Sequence, residues 1–521
     1  MNKLLLLFLA LCLLTNAIAQ NQNISKGNVF EGEPFLAVNP VNPKNLVVAW
    51  MGFVFNSGSG LTIKVKSSFD GGLTWSNTLR MPHLEPTYKS ADPTMAFDAQ
   101  GNLFLAYIDY RQNPDSGGVY LFKSANGGLA WGDPVKMIDA LADADRYPID
   151  RPFLAVNEAG NKLYLTTKPA PWVAAPNRPY VIRSSDGGAT WSPWRYLDST
   201  GYLTGNFIVA PLATPACTGN AVRAVYPSYV PSQNLKPQFI IANSQDGGNS
   251  FDYHTVYDGN SSPATNDTAK LAYQLVQDPT DANHLVFVFF NNLFGDIDIF
   301  MTETHNGGMD WTAPLRVNDD APGNGKMQDM VWASFDTDGD LVVTWRDRRN
   351  ASGSGYATAS AFYAAFRDKD SLYFAPNFAL SDVQVDYNPI LAESGNDFMS
   401  VILRQDTISA VWANTRDGSL DVWFARMSAR SGSISGIALI ESTSTLVEVS
   451  PNPGSGLFQV RTTDGASIDE LVVFDARGEL VLRIQNGSDT MVADLSEQPV
   501  GVYLLNVYSN NRKGMIKVIK Q

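Results

Sequence analysis

The octapeptide Ser184-Ser185-Asp186-Gly187-Gly188-Ala189-Thr190-Trp191 recurs along this chain at a nearly fixed interval, and that interval limits the fold more than any other feature. Related phrases occupy 68–75, 124–131, 244–251 and 304–311, with Asn126 and Asn306 in the Asp place, and a worn copy spans 368–373. The Asp or Asn positions 70, 126, 186, 246, 306 and 368 are separated by 56, 60, 60, 60 and 62 residues. A period of this size marks an array of similar units that bury their faces against one another. Locally, each copy reads as a tight turn closing a hairpin. The apolar run Tyr180-Val181-Ile182 leads in, the Asp side chain accepts turn amides, the glycines take φ > 0, and the Trp packs beneath.

A second element precedes each octapeptide. Glu33-Pro34-Phe35-Leu36-Ala37-Val38, Asp92-Pro93-Thr94-Met95-Ala96-Phe97 and Asp150-Arg151-Pro152-Phe153-Leu154-Ala155-Val156 each lead through a turn to another apolar run. Such units start at 34, 93, 152, 207, 271, 330 and 389. Four strands per unit, none self-sufficient, predict an all-β fold: a β-propeller of seven blades, with six as the alternative. The seventh unit has no octapeptide and no evident fourth strand. Residues 21–29 are expected to supply that strand and close the ring.

The flanks differ in texture. Residues 1–19 read as a signal peptide, with Lys3, an apolar core and Ala17-Ile18-Ala19 before the cut. Cleavage removes Cys12 and leaves Cys217 alone, which excludes an intramolecular disulfide. The propeller is assigned to 20–428, a Ser/Gly-rich linker to 429–445 and a small strand-rich domain to 446–521. A net charge of −14 speaks against nucleic acid as a partner, and no further run is long enough to span a membrane.

The phrase S-x-D-x-G-x-T-W resembles the Asp box, or BNR repeat, of the sialidase-like propellers, over about residues 25–428. The tail carries Val449-Ser450-Pro451-Asn452-Pro453, Val472-Val473-Phe474-Asp475-Ala476-Arg477-Gly478, Gly501-Val502-Tyr503 and a closing Ile516-Lys517-Val518-Ile519-Lys520. In that order these resemble the C-terminal sorting domain of the type IX secretion system. The resemblances imply a small C-terminal β-sandwich and export through the periplasm to the medium or the outer-membrane surface. They also imply the secretion machinery as a partner of the tail. An extracellular glycan or glycoprotein is the expected ligand of a monomeric propeller, without cofactor or metal.

The ligand face is expected opposite the Asp boxes, where inner strands start and second strands end. Three second-strand ends share aromatic-x-Asp/Asn-x-Arg: Tyr107-Ile108-Asp109-Tyr110-Arg111, Trp345-Arg346-Asp347-Arg348-Arg349 and Trp412-Ala413-Asn414-Thr415-Arg416. Arginines hold carboxylates through paired hydrogen bonds. Arg111, Arg349 and Arg416, with Arg151, are therefore the expected substrate-binding residues. Resemblance to sialidases would make Tyr387 with Glu33 or Asp92 the catalytic group. However, the Arg-Ile-Pro motif of a sialidase first blade is replaced by Gly32-Glu33-Pro34-Phe35. Two readings result: a non-catalytic surface propeller that binds glycan or protein, and a sialidase-like exo-glycoside hydrolase acting on acidic sugars. The same arginines also suit ion pairs between blades, with Asp298 and Asp421 as partners. The histidines His83, His254, His284 and His305 show no metal-ligand spacing, and Asp336-Thr337-Asp338-Gly339-Asp340 reads as a plain turn.

Overall fold

The structure, a computed structural model, describes residues 21–27, 29–54, 60–174, 177–198, 213–227, 238–258, 273–389, 396–430, 447–475, 480–509 and 512–521. The chain divides into two compact units, Met1–Ser435 and Gly436–Gln521. The expected signal peptide, nearly all of the expected linker, and the expected unit starts at Phe207 and Leu271 lie outside the described residues.

Among the described residues, the first unit contains seven antiparallel sheets of four strands each. Their innermost strands are Glu31–Val38, Lys89–Phe97, Asp150–Val156, Thr214–Thr218, Gln274–Gln277, Gln328–Phe335 and Ser400–Arg404. Each packs against the next, and the last against the first, so the sheets form a closed ring. The seventh sheet is composite. The N-terminal strand Gln22–Asn23 forms its outer edge, with Gln22 opposite Phe424 and Asn23 opposite Trp423. This joins the two ends of the propeller by main-chain hydrogen bonds.

The seventh innermost strand starts at Ser400 rather than at Pro389. Val385 instead bridges to Ser360 in the sixth sheet, which keeps the segment before Pro389 there. The second strands are near-continuous apolar runs because neighbouring sheets cover both of their faces. Trp50, Tyr107, Trp345 and Trp412 are accordingly wholly buried.

The octapeptide is a hydrogen-bonded turn. Ser184 Oγ donates to Asp186 Oδ1 at 2.7 Å and accepts from the Gly188 amide at 2.9 Å. Asp186 Oδ1 takes the Thr190 amide at 2.9 Å and Oδ2 the Thr190 hydroxyl at 2.5 Å. These donors, Thr190 first, pull the Asp186 carboxyl down to about 2. Gly188 has φ +88°, and a Cβ there would stand 2.4 Å from Leu121 of the preceding sheet, so each turn also seals a joint between sheets. Register puts Ser184 opposite Leu163 and Asp150 opposite Lys168. The turns and the starts of the inner strands therefore occupy opposite faces. Asp186→Ala is expected to lower the melting temperature in calorimetry and to leave ligand affinity unchanged; a change in affinity would contradict a purely structural turn.

The second unit pairs a sheet of three strands with one of four. Strand Leu457–Thr462 alternates exposed and buried residues. Phe458, Val460, Leu471, Val473, Leu505 and Val518 fill the space between the sheets, which makes a small β-sandwich.

Candidate functional site

Three innermost strands carry a proline within their first five residues. Pro34, Pro93 and Pro152 have no N–H to give, and the ladder slips at each: between Gly32 and Phe35, Ala91 and Thr94, Asp150 and Phe153. The residue before each proline takes the left-handed region, with φ 52° at Glu33, 52° at Asp92 and 46° at Arg151. Such a conformation costs about 1–3 kcal/mol per non-glycine residue and gathers at functional sites.

The bulges bring these side chains together. Asp92 Oδ2 accepts the main-chain N–H of Arg151 at 2.9 Å, and the buried Glu33 carboxyl lies beside that of Asp92. The Arg151 guanidinium pairs with Asp397 and lies over the Phe398 ring, 5.2 Å from its centroid. Phe35, Phe153, Trp332 and Phe398 contact one another at 5.9–6.0 Å and stop the ring's centre with an aromatic plug. Burial drives the Glu33 carboxyl well above the carboxylate range; adjacent Asp92 adds to this and Arg151 only partly offsets it. Asp150 is likewise pushed up by burial, to about 6, with Asp92 adding and its partner Lys168 opposing.

Beside this cluster a cleft of about 460 Å³ opens between the second and third sheets, with Lys89, Asp92, Tyr110, Arg111, Asp150 and Trp172 in its lining. Trp172 is 48% exposed and stacks on Tyr110, centroids 5.9 Å apart at 21°. Tyr110 and Tyr147 both donate their hydroxyls to Asp115, which braces this aromatic wall.

The expected arginines separate. Arg111 lines the cleft and donates to Thr87 Oγ1, Ser116 Oγ and the Pro114 carbonyl, all neutral oxygens. Among the described residues no carboxylate ion-pairs with it. Arg349 is bound to Asp347, Asp319 and Asn377 and stacks over Tyr363. Arg416 pairs with Asp382 over Trp423 and lines a different pocket, together with Tyr387. The arginine partners are thus not Asp298, which binds Arg316 and Asn318, nor Asp421, which holds Ser25 and Gly27. Tyr387 packs edge-on against Tyr356 at 5.7 Å, away from the cleft, because its segment stays with the sixth sheet.

Lys168, Trp172 and Asp397 lie outside every repeated phrase, so no pattern marks them. Arg346 and Arg348 did stand in the shared motif. They flank Asp347 at the end of one strand, and both bind Asp329 in the interior.

The ring of four-stranded sheets with its repeated Asp-box turns is a BNR-type propeller, followed by a sorting tail. The BNR repeat-like domain matches residues 101–334, and the Secretion system C-terminal sorting domain matches residues 448–521. The chain carries both. No curated protein sequence matches it. A Dyadobacter fermentans protein of unknown function is 12% identical, covering 79% of this chain and 100% of its own, with a TM-score of 0.41. The NanB sialidase of Streptococcus pneumoniae is 13% identical over 79% of this chain and 70% of its own (TM-score 0.38). A Penicillium chrysogenum alpha-L-arabinanase is 12% identical over 79% and 99% (TM-score 0.39).

Proposed function

We propose that this propeller binds an acidic glycan outside the cell, in the cleft between its second and third sheets. The observation that carries the reading is the exposed Trp172–Tyr110 stack beside Arg111, whose charge no described carboxylate neutralises. An exposed flat ring suits the apolar face of a sugar, and a guanidinium with neutral partners suits a sugar carboxylate. Asp92 and Asp150 accept hydroxyls at the cleft floor. The sorting tail supports an extracellular ligand, because it marks the chain for export.

The test is calorimetric titration of the full chain with acidic oligosaccharides and their neutral counterparts. Trp172→Ala and Arg111→Ala are each expected to weaken binding about tenfold, a loss of about 1.4 kcal/mol. Arg111→Ala should also erase the preference for the acidic ligand. Unchanged affinity in both variants would sink the cleft as the site.

One observation favours a second reading, hydrolysis of the same ligand. A carboxyl poised at about 6, as at Asp150, suits a general acid near neutral pH. Release of a fluorescent leaving group from aryl glycosides of acidic sugars tests this. Asp150→Asn should then slow turnover by about 10²–10⁴. A sialidase-type reaction would instead fall with Tyr387→Phe. No release by the unmodified chain leaves the binding reading alone.

A further inference from the structure

We propose that His284, Glu303 and His305 bind a divalent transition-metal ion of the zinc class, on the Asp-box face of the fifth sheet. Their ligand atoms all lie within 4.8 Å of one another. The hairpin brings them together: Leu285 stands opposite Thr304, and His284 and His305 follow directly beyond that last pair of the ladder. A separation of that length follows no metal-binding spacing in sequence, which is why four scattered histidines gave no signal.

The supporting groups orient the ligands. His284 Nδ1 meets Asp278 Oδ2 at 2.8 Å, and Asp278 is itself fixed by the amide and hydroxyl of Thr280, each at 2.7 Å. A carboxylate on one ring nitrogen sets the tautomer and turns the other towards a metal. That other nitrogen, Nε2, faces Glu303 Oε2 at 3.1 Å. An imidazole nitrogen opposite a carboxylate oxygen needs a cation between them, either a proton or a metal ion. Arg367 of the sixth sheet fixes the Glu303 carboxylate by donating to both oxygens, to Oε2 at 2.7 Å and to Oε1 at 3.1 Å.

His305 lies on the exposed side and stacks on His284, centroids 4.3 Å apart at 15°. Ligand atoms in a tetrahedral zinc site stand about 3.4 Å apart, given bonds of about 2.0–2.1 Å. The exposed His305 ring must therefore swing inwards, while His284 and Glu303 are already at that spacing. Two imidazoles with one carboxylate favour zinc and its neighbours over calcium or magnesium, which prefer oxygen. The fourth position is left to water. None of these residues lines the glycan cleft.

The experiment uses the full chain carrying no histidine tag, stripped with a chelator and titrated with Zn²⁺ against a chromogenic competitor in excess Mg²⁺. One ion per chain is expected. His305→Ala, an exposed change, should weaken binding at least tenfold, and Asp278→Asn by about 10–100-fold through loss of the orienting carboxylate. His254→Ala, at a histidine that among the described residues pairs with exposed Asp252, should change nothing. A melting curve for His305→Ala that matches the unmodified chain without metal shows that the variant folds. No binding by the unmodified chain, or equal affinity in folded His305→Ala, overturns the site.

Discussion

Asp329→Ala is expected to lower the unfolding free energy of the propeller by about 3–5 kcal/mol, the usual size for breaking a buried ion pair from one side. Asp329 is fully buried, and its carboxylate is held by Arg346 at 2.7 and 2.5 Å and by Arg348 at 3.1 Å. Burial works against its ionisation, yet the two guanidinium groups overcome it and hold the carboxyl far below its ordinary range. Both arginines are themselves buried, so the Ala variant leaves two positive charges in a medium that solvates them poorly. Burial rather than the number of contacts decides the size. Lys136→Ala removes an equally close partner from Asp139, but that pair is 43% and 48% exposed and is worth only about 0–1 kcal/mol. All 11 tryptophans lie before residue 429. Denaturant unfolding followed by tryptophan fluorescence therefore reports the propeller and not the tail. A loss below about 1 kcal/mol would mean that water or a second carboxylate reaches the guanidinium groups.

The propeller was legible because its repeat is carried by residues with backbone duties. Asp186, Gly187 and Gly188 are required by the turn itself, so their spacing survives changes elsewhere. The pairing of residues 22–23 with the seventh sheet was legible for a related reason: a missing strand leaves an edge that something must cover. The site was legible in part. Glu33, Asp92 and Arg151 stood out because each precedes a proline at the same place in the repeat. What their side chains do depends on neighbours from other sheets, and Asp397 reaches Arg151 across 246 residues with no phrase to announce it. The arginine motif misled for the converse reason. Arg111, Arg349 and Arg416 occupy equivalent positions, but Asp319 and Asp382 are present to bind the latter two, while the partners of Arg111 are neutral. Equivalent backbone positions thus fix where a side chain starts, and the loops around it decide whether its charge is spent internally.

Between about pH 4 and pH 6 the stability of the propeller is expected to fall as pH rises, by about 3 kcal/mol from Asp150 alone. The sign follows from which state holds the proton more tightly. In the folded chain the Asp150 carboxyl is raised from 3.8 to about 6, chiefly by burial, so the native state keeps a proton that the unfolded chain has already released. The contribution is complete below about pH 4 and is lost as pH climbs through about 6; above that it is constant. Glu33 shifts in the same direction and reinforces the slope. Asp329 and Asp186 are shifted downwards, so their contributions are lost only as pH falls below about 4, outside this window. Asp150→Asn should therefore flatten the curve between pH 4 and 6 and leave the acid limb intact. Lys168 loses its partner in that variant, so the difference in slope is the decisive quantity, not the stability at any one pH. The same proton affects the ligand. Below about pH 6 a neutral Asp150 no longer repels a sugar carboxylate held by Arg111, so an acidic glycan should bind more tightly there, and a neutral one should not. If Asp150→Asn retains the full slope, the carboxyl is solvated and titrates like any other. The cleft would then be wet at Asp150 and would hold no proton there near pH 6.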